Sequence, residues 1–216
     1  MRLEIHTLAW PNTHPGIVKA HSDVCKHLQL EVTTHIREVP HGQWMNEVMA
    51  TSTADVVGFL DIDCIPLNAE IVEQSYIFAA KHTMVGIAQA SNHIPPYSHI
   101  FAAPAFLFVN RKVWNDLHCP TFSETEIGDV AENVSYALEM AGLRYKTLYP
   151  THYTKAPAEG LWHLHTYGVY GIGTVFEGGV YHLYQARVGD NAELFIQTCE
   201  QVIAGTFTTD NMMFSR

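Results

Sequence analysis

The chain has 216 residues, of which 47% are hydrophobic and 16% are charged, and its formal net charge is −10. This length and composition predict a single domain over residues 1–216 with a sizeable apolar core. The acidic balance disfavours a surface that grips nucleic-acid phosphates. Four scattered cysteines without a CxxC pair favour reduced thiols, and no signal-peptide pattern or membrane-length apolar run is present. We therefore expect a soluble, cytoplasmic protein.

Apolar runs and helical patterns alternate along the chain. The predicted strands lie at residues 3–8, 30–36, 56–60, 83–88, 106–109, 145–149 and 180–184. The predicted helices lie at residues 17–28, 42–51, 69–80, 111–117 and 192–203, and Asn68 is placed to cap the third of them. A loop is predicted at residues 91–97. Strands alternating with helices predict an α/β fold with a mostly parallel central sheet.

A further helix is predicted after Asp129. Apolar residues recur there with helical spacing, as at Val134 and Leu138, and Gly142 follows where a left-handed cap is wanted. Asp129 at the helix start has two interpretations, a catalytic carboxylate or a cap for free backbone N–H groups.

Two carboxylates stand at the end of the apolar run 56–60. Asp61 and Asp63 are two residues apart, so on an extended chain they share one face. Ligands of parallel sheets usually lie beyond the carboxyl ends of the strands. Paired carboxylates in a small volume call for a cation, and oxygen ligands suit Mg or Mn. The alternative is a polar strand end in which Asp63 organises the turn into Pro66.

These segments resemble the GT-A-type glycosyltransferases, which use nucleotide sugars and carry a DxD motif. The resemblance runs from the first strand to about Arg187. It rests on the approach to the DxD at residues 43–66, on residues 104–114, and on the acidic helix start at residues 128–142. The chain has Gly128-Asp129 where Glu-Asp is commoner in the family. The resemblance implies a GT-A-like, Rossmann-type three-layer sandwich.

The same resemblance implies transfer of a hexosyl or pentosyl group from a nucleoside-diphosphate sugar to an acceptor hydroxyl. It makes Asp61 a contact to the nucleotide ribose or the metal, Asp63 a metal ligand, and His182 the residue that completes a Mn or Mg site. An ordinary buried histidine is the alternative for His182. If the reaction inverts the sugar, Asp129 is the first candidate for the base and Glu132 the second.

Other candidates are assigned by residue type and position. The predicted donor-binding residues are Thr7, Trp10, Asn12, Asn46, Asp61, Lys155 and Arg187. The predicted acceptor-binding residues are Trp162, His163 and His165, in an aromatic, glycine-rich segment at 151–173 that we interpret as a mobile acceptor wall or lid. Alternatives remain: a two-histidine metal site at His163 and His165, solvated charges at Lys155 and Arg187, and a core-edge position for Trp10.

Two rival functions share these residues. A haloacid-dehalogenase-like phosphatase would use Asp61 as nucleophile and Asp63 as acid, with Gly128-Asp129 holding Mg. Against it, Ile65 stands where that family usually has Thr or Val, and its motif normally lies near the chain start. A non-catalytic carbohydrate-binding protein on the same fold is the other alternative. The donor sugar, the base, the acceptor and the stereochemical outcome stay open.

Overall fold

A computed structural model describes residues 1–91 and 99–216, so most of the loop predicted at 91–97 lies outside the described residues. In chain order the elements are β1 (Leu3–Ala9), α1 (Pro15–His27), β2 (Val32–Ile36), α2 (His41–Thr51), β3 (Val56–Asp61), β4 (Cys64–Pro66), α3 (Ala69–Lys81), β5 (Met84–Ala90), β6 (Ile100–Asn110), α4 (Arg111–Asp116), α5 (Glu132–Met140), β7 (Lys146–Leu148), β8 (Pro150–Lys155), β9 (Trp162–His163), β10 (Val169–Tyr170), β11 (Ile172–Phe176), β12 (Val180–His182), α6 (Asn191–Ala204) and β13 (Met213–Phe214). No described helix is long and apolar enough to cross a membrane.

The central sheet has six strands in the order β2-β1-β3-β6-β5-β7. Five of them point the same way, and β6 alone is antiparallel to both of its neighbours. The predicted α/β fold with a mostly parallel sheet is confirmed. The strand predicted at 106–109 extends over the eleven residues of β6.

Helices cover both faces of this sheet and make three layers. Val57 and Phe59 of β3 pack in one core with Trp44 of α2 and Leu138 of α5. Val56 and Leu60, which alternate with them, pack on the opposite face in a core that contains Ile71 and Val72 of α3. A strand buried on both faces reads as a continuous apolar run, which is why β3 was identifiable from the sequence.

A second sheet of five antiparallel strands, in the order β13-β8-β11-β12-β4, was not predicted. Helices α1 and α6 share an apolar core with it, through Val24, Tyr181 and Phe195 among others. Several of these strands have only two or three residues, too few for an alternating pattern to show. In the segment at 151–173, β8 and the start of β11 belong to this sheet, and the small β9–β10 hairpin lies outside the two larger sheets.

Two helix ends can be compared with the sequence directly. Asn68 caps α3 as predicted, because its side chain accepts a hydrogen bond from the Ile71 N–H at 3.0 Å. Gly142 has φ +69°, which confirms the left-handed conformation after α5. The start of α5 differs: it begins at Glu132, after Ala131 with φ 72°, so Asp129 lies ahead of the helix rather than capping it.

Candidate active site

The strand order brings Asp61 and Asp63 beside a histidine from far along the chain. Asp61 ends β3, and a two-residue turn through Asp63 leads into β4. Strand β4 pairs with β12 in a register that sets Cys64 opposite His182. The backbone N–H of Leu183 also donates to the Asp63 carbonyl at 2.9 Å. His182 is thereby fixed next to the turn that carries Asp63.

Asp61, Asp63 and His182 form a compact group that could hold a metal ion. His182 Nε2 lies 3.6 Å from Asp63 Oδ1 and 4.0 Å from Asp61 Oδ2. One ligand atom from each residue lies within 4.8 Å of the other two. The side chains of Asp61 and Asp63 are 25% and 20% exposed, so this group opens to solvent on one side. Two carboxylates and one imidazole fit a divalent cation such as Mn²⁺ or Mg²⁺.

Asp61 has a second histidine partner that the sequence interpretation missed. His41 Nε2 lies 3.3 Å from Asp61 Oδ1. Burial raises the pKa of Asp61; the charge of Asp63 adds to this, whereas His41 and His182 act in the opposite direction. The sequence did contain a signal for His41. A helix that precedes a parallel strand runs antiparallel to it, so its first residue lies at the edge of the sheet where that strand ends. His41 is the first residue of α2.

A large cavity opens beside Asp63. Its volume is about 910 Å³, and it lies between the first residues of α1 and α6. Asn12 and Arg187 line it together with Asp63. A smaller cavity of about 180 Å³ adjoins Asp61 and is lined by Trp10, His41 and Arg187. The Arg187 guanidinium carbon lies 5.3 Å from the centroid of the Trp10 ring, a cation–π contact. The structure therefore brings three predicted donor-binding residues to the acidic pair.

Three other predicted donor-binding residues have different surroundings. Thr7 is fully buried within β1. The amide of Asn46 donates to Thr121 and Ser123 and accepts from the Phe122 N–H at 2.9 Å, so it fastens that segment to α2. Lys155 forms an ion pair with Asp190 at 2.8 Å. Contacts with a donor are thus not supported by the positions of Thr7 and Asn46, and the charge of Lys155 is already paired.

A separate cavity of about 390 Å³ contains Asp129 and an aromatic wall. Trp162, Tyr170 and Tyr184 line it with Asp129. The centroid of the Tyr184 ring lies 4.0 Å from that of the His182 ring and 5.0 Å from that of the Trp162 ring, so Tyr184 connects the group of Asp61, Asp63 and His182 with this cavity.

The predicted acceptor residues divide between this wall and the surface. Trp162 lines the cavity. His163, the next residue on β9, is exposed, as alternation along a strand requires. His165 is also exposed and has φ 52°. Only Trp162 of these three is placed at the cavity by the structure.

The two candidate bases lie in different surroundings. The Asp129 carboxylate accepts from the Val130 N–H at 2.7 Å and from the Gln89 side chain at 3.3 Å, at the wall of the cavity. Glu132 is 1% exposed. Its carboxylate accepts from the Asp129 N–H at 2.8 Å, from Ser91 and from His99 at 2.7 Å. Asp129 is therefore the better placed of the two, and Glu132 acts on its backbone.

No protein-family model matches the chain, and no curated protein sequence matches it significantly. Solved structures similar to it include Drosophila β1,4-galactosyltransferase 7 with manganese, UDP-Gal and xylobiose, at 15% identity and TM-score 0.47. The match covers 68% of this chain and 65% of that one, so the chain spans just under two thirds of that structure.

Two further structures show how varied the partial similarities are. A mannosyltransferase from Pyrobaculum calidifontis with GDP-Man and Mn²⁺ is 12% identical at TM-score 0.49, over 68% of this chain and 54% of that one. A 4-diphosphocytidyl-2C-methyl-D-erythritol synthase from Anaerococcus prevotii is 9% identical at TM-score 0.45, over 76% and 91%. The similar folds thus include glycosyltransferases, the family that the sequence resembles, and also an enzyme of another class.

Proposed function

We propose that the chain is a metal-dependent glycosyltransferase that moves a sugar from a nucleoside diphosphate to an acceptor hydroxyl. The observation that carries the proposal is the meeting of Asp61, Asp63 and His182 at the edge of a cavity large enough for a nucleotide sugar. These residues come from β3, the following turn and β12, and their convergence requires the whole fold.

The donor side combines a cation site with a positive side chain. Asp61, Asp63 and His182 would hold Mn²⁺ or Mg²⁺, which when bound neutralises the charge of a departing nucleoside diphosphate. Arg187, stacked on Trp10 beside the acids, supplies a guanidinium that can pair with phosphate oxygens. Asn12 lines the adjoining cavity and offers an amide to the nucleoside. The base and the sugar of the donor are not specified by these contacts.

The acceptor side is the cavity that contains Asp129. An aromatic face such as that of Trp162 packs against the apolar face of a sugar ring, and the Asp129 carboxylate can accept a proton from the hydroxyl that attacks. These roles correspond to an inverting transfer. The acceptor proposed here is a hydroxyl-bearing molecule, with a saccharide favoured by the aromatic wall.

Thermal unfolding with a panel of nucleoside diphosphates and nucleotide sugars tests the proposal. Each compound is measured with Mn²⁺, with Mg²⁺ and with chelator, on the natural protein and on Asp63→Asn. We expect stabilisation by one donor that disappears with chelator and in the variant. Stabilisation indifferent to chelator would contradict the cation site. Release of phosphate from simple phosphomonoesters, with no response to nucleotide sugars, would instead support the phosphatase alternative.

A further inference from the structure

Behind Asp129 lies a hydrogen-bonded group that is centred on His99. Residues Glu132, Tyr136 and Glu139 lie on one face of α5, since their spacing of four and three residues returns to the same side of a helix. His99 Nδ1 lies 2.7 Å from Glu132 Oε1, and its Nε2 lies 3.0 Å from Glu139 Oε1. The Tyr136 ring stacks on the imidazole, with centroids 4.0 Å apart and planes 15° apart.

This geometry specifies the charge of His99. A neutral imidazole carries one N–H and one bare nitrogen, so it can donate to only one of the two carboxylates. Only the imidazolium donates through both nitrogens, and a planar cation is also the form that an aromatic face favours. Burial by itself lowers the pKa of His99, but the hydrogen bonds to Glu132 and Glu139 outweigh it and the pKa is raised above its ordinary 6.5.

The group reaches Asp129 through the backbone. Glu132 accepts from the Asp129 N–H at 2.8 Å while the Glu132 N–H donates to the Asp129 carbonyl at 3.0 Å, so two hydrogen bonds join the two residues. Burial raises the pKa of Glu132, yet its bonds from His99, Ser91 and the Asp129 N–H prevail and lower it. The position of the Asp129 backbone therefore depends on the orientation of the Glu132 carboxylate, which a protonated His99 holds through an N–H donor.

We propose that His99 is a positioning residue which, in its protonated form, holds Glu132 and through it fixes Asp129 for proton abstraction. The proposal rests on the proposed function of Asp129 for its catalytic meaning. Among the described residues, the ring of Phe101 also stacks near the imidazole, and the Tyr145 hydroxyl donates to Glu139 at 2.7 Å. Raising the pH through the pKa of His99 removes one N–H from this group, so that one carboxylate faces a bare nitrogen.

Histidine NMR titration tests this without any need for substrate. We would compare the natural protein with Glu139→Gln and with the control His27→Gln, at the exposed end of α1. His99→Gln serves to assign the His99 signal. We expect His99 to titrate above 6.5, the Asp129 amide signal to follow with the same midpoint, and Glu139→Gln to lower both midpoints together. The control leaves both midpoints unchanged. A His99 midpoint at or below 6.5, or an Asp129 amide that does not follow it, would overturn the proposal.

Kinetics supply the second measurement. Transfer by the natural protein should lose kcat on the alkaline side with the NMR midpoint of His99, and Glu139→Gln should move this limb to lower pH with the donor KM unchanged. A limb that stays in place in Glu139→Gln refutes the positioning role. If no transfer occurs with any donor, the proposed function fails, while the two NMR titrations still decide whether His99 fixes Asp129.

Discussion

The effect of Asp63→Asn on thermal stability should change sign when metal is added. Without metal, Asp61 and Asp63 place carboxylate oxygens at most 4.8 Å apart. Two unit charges at that distance repel by about 3 kcal/mol at an effective dielectric constant of about 20. Both side chains are partly exposed and solvent screens them, so we expect Asp63→Asn to stabilise the metal-free protein by about 1 kcal/mol, or about 2–4 °C.

With metal, the same substitution removes a ligand. Mn²⁺ at about 100 times its dissociation constant stabilises the natural protein by about 2.7 kcal/mol. Loss of even a supporting residue weakens metal binding by about 10–100-fold, so the variant should gain only about 0.4–1.4 kcal/mol at the same Mn²⁺ concentration. The natural protein is then the more stable of the two, and the order seen in chelator is reversed.

Differential scanning calorimetry at pH 8, with EDTA or with Mn²⁺, measures both effects. Asp210→Asn is the matched control, since it removes the same charge from an exposed position near the chain end and should respond to metal like the natural protein. If Asp63→Asn lowers stability in EDTA, the carboxylate serves the turn into β4. If Mn²⁺ stabilises Asp63→Asn as much as it stabilises the natural protein, Asp63 is not a metal ligand.

The remaining substitutions separate structural from binding roles. Gly42→Ala would set a methyl 2.4 Å from the Ser123 Cα, so we expect a loss of about 1–3 kcal/mol in urea unfolding, and no loss would show that α2 can shift. Asn46→Ala should cost about 1–3 kcal/mol of stability, with donor affinity unchanged by calorimetry; weaker donor binding would support the predicted donor contact of Asn46. Trp162→Ala should raise the acceptor KM about fivefold, with Trp162→Phe retaining most affinity, and equal KM values would exclude stacking. Arg187→Gln should weaken nucleoside-diphosphate binding about tenfold, whereas an unchanged affinity would make this arginine a solvated charge.

The sequence predicted the parts of the fold whose signals are local. The run that ends at Asp61 is apolar throughout because β3 is buried on both faces, and Asn68 and Gly142 mark helix ends through their own side chain or conformation. The structural partners of Asn46 could not be predicted, for the opposite reason. Its residue type and position suited donor binding, but its partners at 121–123 are about 75 residues away and leave no trace in the local pattern.

Most of the features that could not be predicted from the sequence depend on pairing between short strands. Strands β4 and β12 have three residues each, yet their register decides whether His182 lies beside Asp63. A shift of one residue would turn His182 to the other face of the sheet. The proposal of His182 from the sequence came from family resemblance, and its proximity to the acids depends on a pairing that no periodicity predicts.

The segment from 180 to 184 links the two sides of the candidate site. His182 is the last residue of β12 and Tyr184 lies in the turn that follows, and the centroids of their rings are 4.0 Å apart. His182 faces the acids at the donor cavity, while Tyr184 lines the cavity of Asp129 with Trp162. Any displacement of this short segment therefore alters the proposed cation site and the proposed acceptor wall together. Because the proposed transfer requires the donor and the acceptor to meet, it depends on the pairing of β12 with β4 as well as on Asp61 and Asp63.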